Sequence, residues 1–211
     1  TDYHRITTSK GSTTERNGLF TPKVVDVDGN GTADLVYAGD LYGNLWRFDL
    51  SRTNAGDWES PDVPFFSGSK TRPITSQPLI VSPPTSVTER VGDGGRMIFF
   101  GTGRFLVDGE KTDISKQHYY GLLDRTTPEH PIPESAPIEV NDLKLNNVVK
   151  QTFISGGVAE GQLTDPDLVV NYSSASAPIS TNKFGWYIEL PTSGERVVDR
   201  ALVRKGHVLF N

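Results

Sequence analysis

Cysteine is absent from this 211-residue chain, and methionine occurs once. No apolar run approaches the ~18 residues that a membrane-crossing helix needs. Without thiols there is no disulfide frame, no cysteine-type zinc site and no thiol nucleophile. Positive charge is not in excess either. Lys and Arg number 21 against 26 Asp and Glu, for a net charge of −5. No basic stripe follows the chain, so nucleic acid is not expected as a partner. The four histidines, His4, His118, His130 and His207, are scattered without metal-ligand spacing. There is no Gly-x-Ser-x-Gly elbow and no phosphate-cradling loop, so the chain reads as a non-enzyme. The opening Thr-Asp-Tyr-His-Arg-Ile has neither a Met start nor a charged-then-apolar signal. The expectation is a piece of a longer protein.

Gly (21) and Pro (14) are frequent, which suits short strands joined by turns rather than long helices. Lys23-Val-Val-Asp-Val27 reads as a strand, Ala33–Ala38 as a second and Asn44–Leu50 as a third. A tight turn, Gly39-Asp-Leu-Tyr-Gly43, joins the last two. Alternation places Trp46, Phe48 and Leu50 on one face, expected to be buried. A similar unit recurs: Met97–Gly103 runs into a Gly turn, Arg104–Val107 continues it, and His118–Asp124 returns. A weaker third unit comprises Gly185–Leu190, Arg196–Asp199 and Gly206–Phe210.

Strand, Gly turn and an aromatic strand ending in Asp is the grammar of a propeller blade. The expected fold is therefore all-β: a modified, incomplete β-propeller with irregular blades and long loop insertions. The spacing of its units is wider than the usual ~40–50-residue repeat. Insertions fall at 51–64, 83–95, 126–138 and 160–183, and residues 139–154 fit either a short helix or a strand. Residues 1–17 read as a flexible lead-in and 18–211 as the propeller fragment. Trp46 and Trp186 read as core, and Trp58 as an anchor for its loop.

The sharpest motif is Asp26-Val-Asp28-Gly-Asn30-Gly31-Thr32-Ala-Asp34. With Asp26 as position 1, side-chain oxygens fall at 1, 3 and 5, Gly31 sits at the sharp turn, Thr32 offers its carbonyl at 7, and Asp34 takes 9. Ca²⁺ wants six to eight oxygens, and a chain curling round one point presents alternate side chains to it. Three carboxylates this close repel one another unless a cation joins them. Position 12 is Tyr37 rather than a bidentate Glu, and strands flank the loop, so the pattern is a shortened relative of the EF-hand loop. The plain reading is a hairpin, for which Asn30-Gly31 suffices. That reading leaves the spacing of Asp26, Asp28 and Asp34 unexplained. The stretch Asp108-Gly-Glu110-Lys-Thr-Asp113 lacks the alternating oxygens and reads as a solvated turn.

Five pieces in order carry a resemblance. They are the calcium loop, Tyr37-Ala-Gly-Asp-Leu-Tyr-Gly-Asn-Leu-Trp-Arg-Phe-Asp-Leu50, Arg72-Pro-Ile-Thr75, Phe100-Gly-Thr-Gly-Arg-Phe105 and Tyr120-Gly-Leu-Leu-Asp124. Gly185-Trp-Tyr with Gly194-Glu-Arg196 is a looser sixth. Together they resemble the C-terminal propeller domain of the PilY/PilC-type proteins of type IV pili, over about residues 18–211. The resemblance implies a large protein at the pilus tip, cell surface or outer membrane of a Gram-negative bacterium. It implies support of pilus assembly, opposition to retraction, adhesion, twitching motility and virulence. The implied partners are pilus subunits or minor pilins and a host or abiotic surface. The implied metal ligands for Ca²⁺ are Asp26, Asp28, Asn30, Thr32 (carbonyl) and Asp34. Two other readings stay open at this point: a propeller whose calcium only stabilises it, and a quinoprotein-like enzyme, against which the lack of cofactor ligands counts.

Overall fold

The computed structural model describes residues 3–82, 95–124, 148–151, 153–154, 162–163 and 185–211. Residues 83–94 of the insertion expected at 83–95, the whole of that at 126–138, residues 139–147 of the undecided stretch, and nearly all of 160–183 lie outside the described residues.

The first sheet is an antiparallel meander of β1 (Lys23–Val25), β2 (Leu35–Gly39) and β3 (Leu45–Asp49). Leu45 and Phe66 exchange both backbone hydrogen bonds, at 2.9 and 3.1 Å, which begins a fourth edge. β2 starts two residues later than the sequence predicts. Ala33 and Asp34 close the acidic loop instead, with the Asp34 N–H on the Val25 carbonyl at 2.9 Å.

The second sheet contains β4 (Leu79–Val81), β5 (Arg96–Gly101), β6 (His118–Asp124), β7 (Val149–Gln151) and, after the two-strand hairpin β8 (Phe153–Ile154) and β9 (Gln162–Leu163), β10 (Gly185–Glu189). Its order is β4-β5-β6-β10-β7. The first four strands are antiparallel, and β7 runs parallel beside β10. Among the described residues the regular structure is mostly β, carried by this three-stranded and this five-stranded sheet. β11 (Leu202–Arg204) and β12 (His207–Leu209) form a separate hairpin.

The third unit read from the sequence is thus divided. Gly185–Glu189 completes the second sheet, because β6 is buried along its whole length and its free edge must be paired. Arg196–Asp199 is not a strand. Arg196 donates to the carbonyls of Arg104, Glu110 and Asp113 at 2.7–3.0 Å, and Val197 packs where Gly101 has no Cβ.

Trp46, Phe48 and Ala38 form a buried cluster on one face of the first sheet, with Leu50 partly buried against it. The opposite face is covered as well. Leu35, Tyr37, Leu45, Phe65 and Phe66 meet Ile98, Phe100, Tyr120 and Leu122 of the second sheet in one core. Phe66 sits 4.9 Å from Tyr120 and 5.7 Å from Phe100, centroid to centroid. Each such side chain contributes about 1.5–3 kcal/mol by leaving water. This apolar seam holds the two sheets together.

The glycine-rich string at 38–46 builds one buried turn. The Asp40 carboxylate accepts from the Tyr42 and Asn44 N–H groups, the Asn44 and Asn17 amides, and the Trp46 indole, all at 2.7–2.9 Å. Gly43 has φ +78° there. The Asp40 carbonyl accepts from the Ile74 N–H at 3.0 Å, and the Gly103 N–H donates to the Pro73 carbonyl at 2.8 Å. Three of the five resemblance strings therefore meet in space, with residues 71–75 stapling one sheet to the other.

Candidate metal centre

The acidic loop runs from the end of β1 to the start of β2, so its two ends are tied into one ladder. Its shape comes from short-range bonds. The Asp26 carboxylate accepts from the Gly29 and Gly31 N–H groups at 2.7 and 2.8 Å. Asp28 accepts from the Asn30 N–H at 3.0 Å and the Asn30 amide at 2.7 Å. Asn30 Oδ1 accepts from the Thr32 N–H at 2.7 Å and the Thr32 hydroxyl at 2.5 Å. Gly29 and Gly31 have φ of +76° and +89°, where a side chain would be strained.

One oxygen each from Asp26, Asp28 and Asp34 lies within 4.8 Å of the other two. Among the described residues this is the one group of three or more acidic or histidine side chains so gathered. Asp26 and Asp28 are exposed, whereas Asp34 is buried and accepts from the Val27 N–H at 2.6 Å. Asp34 thus anchors the cluster to the sheet while the other two face outward. The Gly31 N–H, more than any other group, holds the Asp26 carboxyl below its ordinary value and so keeps it charged. Asn30 and Thr32 lie in the same turn, tied to each other and to Asp28. Carboxylate, amide and hydroxyl oxygens make an all-oxygen donor set, which fits a hard cation such as Ca²⁺ rather than a soft one.

A cleft of about 530 Å³ opens beside the loop, lined in part by Lys23, Asp26, Asp28, Ile80, Val81 and Arg96. Arg96 Nη2 donates to the Val27 carbonyl at 3.3 Å. Sequence reasoning missed Arg96, because its partner lies 69 residues away and no local signal marks it.

It also missed a buried polar cluster between the sheets. Asp124, fully buried, accepts from Arg47 Nη1 at 2.8 Å and from the Tyr37 hydroxyl at 2.7 Å. Burial first, and the Asp124 charge second, push the Tyr37 phenol far up, so it stays a donor. The available signal was that Arg47 alternates with apolar residues on β3.

The second acidic stretch folds as a 3-10 turn, Asp108–Thr112. Glu110 is turned inward to accept from the Leu106 and Val107 N–H groups at 2.6 and 3.2 Å. Asp108 pairs with Lys111 at 2.8 Å. Trp58 anchors its loop, donating from Nε1 to the Arg52 carbonyl at 2.9 Å with its ring edge-on to His4.

The family model described as the PilY1 beta-propeller domain matches residues 4–157. A type IV pilus biogenesis factor PilY1 homolog of Xylella fastidiosa (strain Temecula1) is 34% identical over 193 residues, covering 88% of this chain and 13% of its own length. The type IV pilus biogenesis factor PilY1 of Pseudomonas aeruginosa (strain PAO1) is 29% identical over 211 residues, covering 87% of this chain and 17% of its own length. The crystal structure of the Pseudomonas aeruginosa PilY1 C-terminal domain superposes with a TM-score of 0.66 at 26% identity, covering 95% of this chain and 46% of that one. The chain thus spans less than a fifth of the length of these curated relatives.

Proposed function

The chain belongs to the PilY1 β-propeller domain family, and from that premise we propose that it serves type IV pilus biogenesis as a calcium-binding propeller domain at the cell surface. Its role is assembly and adhesion rather than catalysis. Within a larger surface protein it supports pilus assembly, opposes retraction and contributes to adhesion and twitching motility. Pilus subunits or minor pilins and a host or abiotic surface are its partners. Among the described residues no helix is long and apolar enough to cross a membrane.

One observation carries the reading: the family-matched segment contains a loop that gathers three carboxylates within 4.8 Å. In this proposal Asp26, Asp28, Asn30 and Asp34 supply side-chain oxygens and Thr32 its carbonyl. Bound Ca²⁺ would neutralise the carboxylates and cross-link the turn. Asp34, which leads into β2, ties that strand to the β1 side of the loop by accepting from the Val27 N–H, and Gly29 and Gly31 let the backbone curl tightly enough to bring Asp26 and Asp28 together. A rigid loop fixes the adjoining sheet edge for a partner. Calcium regulates such an edge only to the extent that it binds one arrangement better than another.

The test is Asp26→Ala in the full-length protein, scored by surface pili and twitching motility. Fewer pili and reduced twitching are expected. Wild-type pili and motility would remove the regulatory role. A retained calcium-induced thermal shift in the wild-type protein would then leave the ion a stabilising one only.

A further inference from the structure

We infer that Arg96 is the positioning residue through which a cation in the 26–34 loop acts on the seam between the two sheets, an inference that rests on the calcium reading above. The connection runs through Val27. Its N–H is held by Oδ2 of Asp34, one of the gathered carboxylates, and its carbonyl accepts from Arg96. Arg96 opens β5, donates from Nη1 to the Gly95 carbonyl at 2.9 Å, and stands in register opposite Asp124 on β6. Asp124 is the carboxylate that binds Arg47 of β3 and Tyr37 of β2. The loop and the seam are therefore linked twice: through the first sheet, and across the cleft by Arg96.

The two ends of the loop are not equally stiff. Asp34 is buried and enters β2, a central strand. Asp26 follows β1, a three-residue edge strand whose Val24 is half exposed. When the three carboxylates repel one another, the β1 side yields first. Val27 lies on that side, so its carbonyl draws away from Arg96. With the charges neutralised, the loop closes and Val27 holds the guanidinium of Arg96, the residue in register opposite Asp124, in place. A guanidinium spans the Gly95 and Val27 carbonyls with one planar fork, which a lysine ammonium does not reproduce.

Hydrogen exchange of the full chain with and without Ca²⁺ tests this, with calorimetric Ca²⁺ titration of the same samples. In the wild type, Ca²⁺ is expected to slow exchange in the loop and, by about tenfold, in β5 and β6. Arg96→Ala and the milder Arg96→Lys should still bind Ca²⁺ and protect the loop. Their β5–β6 response should fall below about threefold, with Lys keeping more of it than Ala. A merely structural Arg96 would change exchange equally with and without the ion. If Arg96→Ala fails to fold, Arg96→Lys decides. Variants that bind Ca²⁺ and keep the full β5–β6 response would overturn the inference. So would a wild type whose response stays within the loop, although the calcium reading would then survive. A wild type that takes up no Ca²⁺ would end both.

Discussion

Asp124 and the Asp26–Asp34 loop carry the same functional group under opposite conditions. Asp124 is a single carboxylate with no exposure, and its partners are Arg47 and Tyr37, 77 and 87 residues away. The loop concentrates three carboxylates in nine residues, two of them exposed, and its partners are N–H groups within seven residues. In the seam the counter-charge is built into the fold. In the loop the bonding groups are neutral backbone and amide donors, so added positive charge is what changes its energy. A region of the first kind sets whether the sheets dock. One of the second kind sets how firmly an edge is held under given solution conditions.

The largest effect expected from this contrast is at Asp124. Asp124→Ala leaves the Arg47 guanidinium and the Tyr37 hydroxyl buried without their acceptor, which costs about 3–5 kcal/mol. Urea denaturation should show a much lower midpoint both with and without Ca²⁺. A loss under about 1 kcal/mol would mean that water replaces the carboxylate easily, and the seam would then no longer stand apart from the exposed loop.

The next effect belongs to the loop and depends on its ion. At a Ca²⁺ concentration a hundred times its Kd, stability should rise by about 2.7 kcal/mol. Asp26→Asn should abolish that increment while changing little in chelator, because the exposed amide keeps an acceptor for one of the Gly29 and Gly31 N–H groups and relieves the repulsion among the carboxylates, which offsets the bond lost to the other. Thermal melts with and without Ca²⁺ give both numbers. A Ca²⁺ shift that persists in Asp26→Asn would place the ion elsewhere.

The same contrast explains what the sequence made legible. The loop could be read because its determinants are local: an acidic residue at alternate positions and glycines at the positive-φ turns. The strands 23–25, 45–49 and 118–124 announce themselves by apolar runs closed by turns. The Asp40 turn was legible as a turn, but not as a carboxylate with five donors, since Asn17 arrives from outside the string. The docking of 71–75 between the sheets, the Asp124 cluster and Arg96 were not legible, because their partners are fixed by tertiary contacts across 28 to 87 residues. The divided third unit has the same origin. Residues 185–189 form a strand on local grounds, and only the unpaired edge of β6 determines which sheet they join.

His118 gives the smallest effect and separates the two regions by pH. Its ring is buried at the start of β6, with Nδ1 2.8 Å from the Tyr120 hydroxyl and its centroid 4.8 Å from that of Tyr187. Burial first, and the nearby Arg72 charge second, disfavour the imidazolium and pull the pKa down from 6.5 to about 4. Between those values the unfolded chain binds the proton and the folded one does not, so stability falls as pH drops through the window. The full shift corresponds to about 3 kcal/mol, which solvent screening reduces to about 1–2 kcal/mol. Asp26, whose carboxyl is held below 3.8 by the Gly31 N–H, adds its loss only at lower pH. Urea midpoints measured from pH 7 to pH 3 should therefore fall in two stages, the first from the second sheet and the second from the carboxylates held below their ordinary values, Asp26 of the loop together with Glu15, Glu110 and Asp113. His118→Asn keeps a polar partner for Tyr120 and should flatten the first stage alone. Equal slopes in the wild type and the variant between pH 6.5 and 4 would mean that the ring is hydrated in the folded state, and that this end of β6 resembles the loop more than the seam.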